Sequence, residues 1–327
     1  MRYSNMHITV AVRLAACAFL ALPAVTQGQP YPAKPVRMIV SSAPQGGTDT
    51  IGRIIANELT TSLGQQVSVE NRPGAGGRIG AEFVARSPPD GYTLIVAAAA
   101  GTVIFPNVYT KLPYNVERDF APVSLLAISD YILAVHPSLP VKTVKELVAF
   151  AHTRPGQIAF SSSGNFGIPH LAGELFNQVA KVKMLHVPYK GGGPAAIAIL
   201  GGEVSLMFGT GPTVGPYEKS GKLRLIATAS EKRSKLFGHL PTIGETLPGI
   251  VVTAWYGVQA PAGTPTPILT RLHSEIVKAV HGERASRVII ASGLEPTTST
   301  PQEFAAFIRA ETVKWGKVVK ATGLPLE

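Results

Sequence analysis

The first residues with chemical potential form a glycine-rich turn between a strand and a helix. β-forming residues from Val36 to Val40 precede the turn, and apolar residues at helical spacing follow it as far as Gly64. The turn is made of Ala43, Pro44, Gln45, Gly46, Gly47, Thr48 and Asp49. Free backbone N–H groups and the positive end of a helix dipole at such a turn bind anions, and Thr48 or Asp49 can cap the helix. The lysine of a phosphate-binding loop is missing, which favours a carboxylate over a nucleoside triphosphate, with a plain strand-to-helix turn as the alternative.

A second loop repeats this geometry with hydroxyl and amide groups added. A β-forming run ends near Ser161, and Pro169 marks the start of the next helix. The polar and aromatic candidates on this loop and helix start are Ser162, Ser163, Gly164, Asn165, Phe166 and His170. If the two loops face each other, they clamp one acid between them.

Ser163 and His170 also raise the alternative of an exported α/β hydrolase. The sequence contains no G-x-S-x-G nucleophile elbow, and no carboxylate stands in obvious support of His170. A hydrogen-bonding role at the helix start is therefore the better interpretation of His170. The histidines also lack the spacing of a helical metal pair. We expect no catalytic residue, no metal and no cofactor.

Two further glycine motifs and two aromatic residues have competing interpretations. The segment from Gly74 to Gly80 looks like a dinucleotide fingerprint, but four residues separate it from its strand and no acidic residue follows at the required distance. A tight loop is sufficient to explain it. The segment from Tyr189 to Pro194 fits either a phosphate site or a flexible turn. Phe166 and Trp255 fit either a pocket wall or core packing.

The charge of the chain does not indicate a nucleic-acid partner. Its 327 residues include 30 Lys and Arg against 20 Asp and Glu, for a net charge of +10, yet no run of four basic residues occurs. Scattered single charges of this kind serve solvation.

The N-terminus has the layout of a secretory signal. Basic residues flank an apolar run from Leu14 to Val25, and small and polar residues follow up to Gly28. The run is too short for a membrane-spanning helix and contains Pro23. We expect cleavage near Gly28 and an exported protein. A lipoprotein-type sequence ending at Cys17 is disfavoured because most of the apolar run lies after it.

The remaining sequence alternates short β-forming runs, glycine-rich turns and amphipathic helices. This alternation predicts parallel α/β layers, and it restarts after an irregular stretch between residues 99 and 130. We therefore predict two α/β lobes joined by two crossing strands, with a cleft at the carboxyl ends of both sheets.

A set of motifs spread over nearly the whole mature chain resembles the Bug family of periplasmic receptors, the substrate-binding proteins of tripartite tricarboxylate transporters. The most specific motif is Glu-Asn-Arg-Pro-Gly-Ala-Gly-Gly at 70–77. The others are Tyr-Pro at 31–32, the turn ending at Asp49, Pro-Asp-Gly-Tyr at 89–92, His-Leu-Ala-Gly-Glu at 170–174, Val-Pro-Tyr-Lys-Gly at 187–191 and Ala-Pro-Ala-Gly-Thr-Pro at 260–265.

The resemblance implies a type II periplasmic binding fold without catalysis. It also implies that backbone N–H groups, ordered waters and hydroxyls hold a small carboxylate, a role that falls on Ala43 to Asp49 and Ser162 to Asn165. The sequence departs from the family pattern at Gln45, where Gly is common, and at 166–167, where Phe-Gly replaces Gly followed by Ser or Thr. Phe166 is therefore predicted to form an apolar wall.

These observations combine into one expectation. Residues 1–28 form the signal peptide, residues 29–126 with 253–327 form lobe one, and residues 127–252 form lobe two. The mature protein is expected in the periplasm as a monomer that binds a small carboxylate and not nucleic acid. Its membrane partner is expected to be the subunits of a tripartite tricarboxylate transporter, with a sensor protein as the alternative.

Overall fold

A computed structural model describes residues 31–324 of the chain. The predicted signal segment, with Cys17 and the cleavage position, lies outside the described residues. From Lys34 onward the chain forms one compact unit. None of its described helices combines the length and apolar character needed to cross a membrane.

The first sheet is built around the parallel strand β1 (Val36–Val40), which pairs with β2 (Val67–Asn71) on one side and β3 (Thr93–Ala98) on the other. An antiparallel strand, β9 (Thr253–Pro261), pairs with β3 and with the first part of β4 (Phe120–Val135). Burial of both faces explains why β1 is apolar except for the exposed Arg37 and why β3 is apolar after Thr93. The carboxyl ends of the parallel strands therefore meet the start of β9 at one edge.

The second sheet continues from the end of β4. There β4 pairs antiparallel with β7 (Leu206–Thr210) and with β8 (Arg224–Thr228). Parallel pairing then joins β7 to β5 (Ala159–Ser162) and β5 to β6 (Leu185–Pro188). Since β4 belongs to both sheets, it is one continuous crossing between two lobes, and the second crossing enters β9 at Thr253 opposite Asp130.

Helices cover both sheets. They are α1 (Gly47–Leu63), α2 (Arg78–Ala85), α3 (Val116–Asp119), α4 (Val144–His152), α5 (Ile168–Ala180), α6 (Gly192–Leu200), α7 (Gly211–Val214), α8 (Thr266–His281), α9 (Glu283–Ala291) and α10 (Pro301–Thr322). A short strand, β10 (Glu295–Pro296), pairs with β4 ahead of α10. The C-terminal helices α8 and α10 both pack against β4, so the chain returns to the first lobe after completing the second.

This architecture confirms the predicted two-lobed type II periplasmic binding fold. Local signals mark several helix ends: α1 ends at Gly64 in the left-handed conformation, as predicted, and α4 and α10 begin with capping contacts from Thr143 and Thr300. The main difference lies in the stretch predicted to be irregular, because Phe120–Val135 is a single strand of 16 residues.

Candidate functional site

A cavity of about 390 Å³ lies at the carboxyl ends of the strands, between the loops of the two lobes. Its walls come from the turn after β1, the loop ahead of α2, the segment after β3, the loops ahead of α5 and α6, the end of β7 and the start of β9. A volume of this size suits a small-molecule ligand.

Four helices point their N-termini at this cavity. Their first residues, Gly47 of α1, Arg78 of α2, Ile168 of α5 and Gly192 of α6, all line it. Each of these helices has a glycine at its N-cap and no side chain that caps its first turn. Apart from the Arg78 N–H, which donates to the Ala75 carbonyl, the first-turn N–H groups have no side-chain cap, so they and the positive dipole ends are available to an anion.

Helices α4 and α10, in contrast, have N-termini that are capped by a side chain. Neither helps to line the cavity, and each is capped by a threonine side chain that accepts a backbone N–H, Thr143 in α4 and Thr300 in α10. Capping of this kind would occupy the donors that the four cavity helices leave free.

The charged side chains on the cavity wall are all cationic. Arg78 and Lys190 line it, and no aspartate or glutamate does so within the described part of the chain. The Arg78 guanidinium lies 3.8 Å from the centre of the Tyr109 ring, and its Nε donates to the Ala75 carbonyl at 3.3 Å. The wall is thus positively charged, as an anionic ligand requires.

The most buried part of the wall is uncharged and is formed by residues at the crossing of the two lobes. Four of its residues, hereafter the buried end, are Tyr131, Phe208, Trp255 and Tyr256. Burial raises the pKa of both tyrosines well above the ordinary value, and the neighbouring Tyr256 raises the pKa of Tyr131 further. Both phenols are therefore neutral at physiological pH.

The structure brings only part of the first predicted loop to the cavity. Gly46, Gly47 and Thr48 line it, whereas Ala43, Pro44, Gln45 and Asp49 do not. Gly47 has no room for a side chain, because a Cβ there would overlap the Tyr256 hydroxyl and lie 3.0 Å from the Thr210 hydroxyl. The backbone of α1 therefore approaches the buried end as closely as a glycine allows.

Asp49 uses its carboxylate to hold this loop. It accepts hydrogen bonds from the Gln45 backbone N–H at 3.0 Å, from Arg53 Nε at 2.9 Å and from Asn71 Nδ2 at 2.9 Å. Burial raises the pKa of Asp49, but the hydrogen bonds outweigh burial and the net pKa is lowered. The N-cap of α1 is Gly46, so neither Thr48 nor Asp49 is the N-cap that the sequence suggested.

The second predicted loop, like the first, has some residues on the cavity wall and others behind it. Ser163, Gly164 and Asn165 line the cavity, and Ser162, Phe166 and His170 lie behind it. The Ser162 hydroxyl is 2.6 Å from His186 Nε2 and accepts the Gly164 N–H at 3.1 Å. The buried Phe166 ring packs edge-on against Tyr109 and His170, so the structure does not place it on the cavity wall.

Two stacked histidines support the second loop from behind. The His170 and His186 rings lie 3.7 Å apart, and His170 Nδ1 accepts the Phe166 backbone N–H at 3.0 Å. Burial lowers the pKa of His170 to about 4, and burial together with His170 lowers the pKa of His186 to about 3. Glu174 Oε1 lies 3.8 Å from His170 Nε2, and burial raises the pKa of Glu174.

This arrangement gives the hydrolase alternative no support. His170 uses Nδ1 to accept a backbone N–H, and the serine of this loop that contacts a histidine is Ser162, which is buried behind the cavity. The required pairing of Ser163 with His170 is not formed. In residues 31–324, moreover, no group of three His, Cys, Asp or Glu side chains is arranged to hold a metal ion.

Sequence reasoning missed several wall residues. The loop from Gly74 to Gly77 was interpreted as a tight loop, the segment from Tyr189 to Pro194 was left between a phosphate site and a turn, and Tyr131 and Tyr256 were not considered. The position of each glycine loop directly before a helix was the available signal. Trp255, left between wall and core packing, borders the cavity, but its ring is buried and packs edge-on against Phe304 and Phe307.

The loops of the two lobes also touch each other directly. The Ala43 N–H donates to the Lys190 carbonyl at 3.0 Å, and a Cβ added to Gly193 would overlap the Pro44 carbonyl oxygen. The structure therefore has the cleft closed at this point.

Comparison with known proteins decides the family. Residues 51–324 match the family described as Tripartite tricarboxylate transporter family receptor. The chain belongs to this receptor family. Protein BugT of Bordetella pertussis is 36% identical to it over 325 residues, which cover 99% of this chain and 100% of BugT.

Solved structures of similar proteins agree. An R. palustris protein solved with adipate has a TM-score of 0.87 at 34% identity, covering 90% of this chain and 100% of its own. MatC from Rhodopseudomonas palustris, solved with malate, has a TM-score of 0.84 at 30% identity, covering 88% of this chain and 100% of its own. The receptor is accordingly a periplasmic solute-binding protein, and its family and structural neighbours are binding proteins and not enzymes.

Proposed function

We propose that the receptor captures a small carboxylate between its lobes and delivers it to the membrane subunits of a tripartite tricarboxylate transporter. The observation that carries this proposal is the convergence of four uncapped helix N-termini on one cavity whose charged side chains, Arg78 and Lys190, are both basic. Adipate and malate in the two similar structures are ligands of this chemical class.

In this proposal the backbone does most of the binding. The N–H groups at Gly46 to Thr48 and those of Ser163 and Asn165 receive the carboxylate from opposite lobes, and ordered waters fill the remaining distance. Ala43, Pro44, Gln45, Asp49, Ser162, Phe166 and His170 act indirectly, by holding the two loops in shape.

We also propose the lobe boundaries and the mature form. Lobe one comprises residues 29–126 and 253–327, and lobe two comprises residues 127–252. The change of partner along β4, from β9 at Asp130 to β7 at Tyr131, supports a hinge close to the first boundary. The signal peptide is removed near Gly28, and the mature receptor acts as a monomer.

A thermal-shift screen tests the ligand class. Succinate, malate, adipate and citrate are each compared with the corresponding neutral amide, because the amide keeps the size and loses the charge. A ligand at a hundred times its Kd adds about 2.7 kcal/mol to the free energy of unfolding. Stabilisation by an acid and not by its amide supports the proposal, and equal stabilisation by both, or by neither across the series, contradicts it.

A further inference from the structure

Gln259 carries a buried amide group whose nitrogen has no hydrogen-bond partner. The residue lies on β9 and is 2% exposed, and its Nε2 atom is unpaired among residues 31–324. Two other buried side-chain atoms in this range are also unpaired, Ser42 Oγ and Trp255 Nε1, but both of those residues border the cavity of about 390 Å³. Gln259 does not border that cavity, so a carboxylate bound there does not account for its amide.

Other side-chain amides in the structure have the partners that Gln259 Nε2 lacks. The Nδ2 atoms of Asn71, Asn107 and Asn177 each donate to two acceptors, at distances between 2.9 and 3.4 Å. An amide N–H₂ group carries two donors, and native proteins leave few buried donors unpaired. An acceptor is therefore expected beside Gln259 Nε2 that the described chain does not supply.

Gln259 borders a separate space of about 10 Å³. This volume is about that of one water molecule and excludes a larger ligand. Among the described residues, no charged side chain lines the space, and the polar ones besides Gln259 are Ser41, Thr102 and Tyr114. An ion would find no counter-charge there, whereas a water can accept from the amide N–H₂ group and donate to a neighbouring oxygen.

The small space lies directly behind the wall of the large cavity. Ser41, Ala98 and Gly101 border both, so these residues separate one from the other. Gly101 belongs to a π-helical turn, Ala100–Ile104, and its carbonyl accepts the Tyr114 hydroxyl at 2.8 Å. A π-turn is a rare conformation that occurs mostly at functional sites. The position of this part of the wall therefore depends on the groups that support it from behind.

We propose that the small space binds one water molecule, which accepts an N–H of the Gln259 amide and holds the wall segment from Ala98 to Gly101 in place. The water contacts no ligand. Gln259 is a positioning residue that acts on the large cavity through this water. The water site is independent of the ligand, and its effect on affinity rests on the proposed carboxylate function.

A crystal structure of the wild-type receptor, at a resolution that locates waters, tests the site without any ligand. We expect density for one water about 2.7–3.2 Å from the Gln259 amide, both with and without a bound carboxylate. Gln259→Met has a side chain of similar length and no amide, so this water is expected to be lost. Wild-type density that shows no water, or a Gln259 amide that donates to a protein carbonyl, overturns the inference.

Calorimetry with the best-binding acid tests the effect on the large cavity. Gln259→Met is expected to weaken binding about two- to tenfold, the range of one lost hydrogen bond. Gln178→Met is the matched control, because it makes the same substitution at an exposed position of α5 that lines neither space. We expect this control to keep wild-type affinity. If Gln259→Met is less stable in urea but binds like wild type, the amide is merely structural and the inference is overturned.

The conservative variant Gln259→Glu keeps the size of the side chain and can still pair with a water. It is expected to retain the water and more of the affinity than Gln259→Met. If Gln259→Met does not fold, this variant and the wild-type structure decide: loss of the water in Gln259→Glu with wild-type affinity overturns the inference. If no acid binds to the wild type, the proposed function fails, and the crystal structure still decides the water site.

Discussion

A methyl group at Gly193 is expected to keep the cleft from closing. Gly193 is the second residue of α6 in the second lobe, and a Cβ there would overlap the Pro44 carbonyl oxygen of the first lobe. It would also lie 3.1 Å from Gln45 Cβ and 3.3 Å from the Gln45 carbonyl carbon. Two of these three atoms belong to the backbone, so no side-chain rotation removes the overlap. The contact exists only when the lobes meet.

The magnitude follows from the type of contact. Overpacking by one methyl group costs about 1–3 kcal/mol, which here falls on the closed state alone. A ligand that needs the closed state then binds about 5- to 150-fold more weakly. The same substitution within a helix raises the free energy of unfolding by about 0.5–1 kcal/mol, because alanine is a better helix former than glycine. Gly193→Ala should therefore weaken binding while the fold becomes no less stable.

Gly201→Ala is the control at the other end of α6. Gly201 is the C-cap with an ordinary negative φ of −81°, and a Cβ there would lie 3.5 Å from the Ile197 carbonyl oxygen. The assay combines calorimetry with the best-binding acid, X-ray scattering with and without that acid, and urea unfolding. We expect wild type and Gly201→Ala to become more compact on binding and Gly193→Ala to stay expanded. Wild-type affinity and full compaction in Gly193→Ala would refute this reasoning.

Three further outcomes are expected. Asp49→Ala should lower the free energy of unfolding in urea by about 1–3 kcal/mol and have a smaller effect on ligand binding, since the carboxylate holds the loop. Because the pKa of Asp49 is lowered in the folded state, the stabilisation by its carboxylate is present above about pH 4 and is lost as the pH falls further. The folded pKa of His170 is about 4, so the unfolded chain takes up the proton first, and stability should fall from about pH 6.5 toward pH 4 by up to about 1.4 kcal/mol per pH unit. Thermal melts across this range should show a flatter profile for His170→Gln, and equal slopes would contradict the assignment. Intact-mass analysis of the exported protein should give a chain beginning after about Gly28, and a lipid-modified N-terminus at Cys17 would contradict it.

Local sequence signals were sufficient for most helices but not for the crossing strand. Capping residues and a terminal glycine mark α1, α4 and α10 because those signals act within one turn. The first part of β4 gives no such signal: Pro122 interrupts it, and its register against β9 shifts twice. Pairing with a strand more than 100 residues away stabilises this segment, and no short window of sequence contains that partner.

The sequence likewise predicted the parts of the site that depend on local patterns and not those that depend on the tertiary arrangement. A glycine loop before a helix is a local pattern, so the turns after β1 and β5 could be identified as anion-binding candidates. That the starts of α2 and α6 face the same cavity is a property of the strand order, which brings distant loops to one edge. The roles of Phe166 and Trp255 depend on which side of the wall each ring occupies, and side-chain type alone does not determine this.

The four uncapped helix N-termini also have a consequence for the empty receptor. Each carries roughly half a positive elementary charge, and closing the cleft brings these partial charges and two cations together. Without an anion between them, mutual repulsion opposes closure. A carboxylate acts as the missing counter-ion, so its arrival converts a repulsive interface into an attractive one. On the proposed function, loading and shape are thereby coupled, and a membrane partner that recognised the closed outline would distinguish full receptors from empty ones without contacting the cargo.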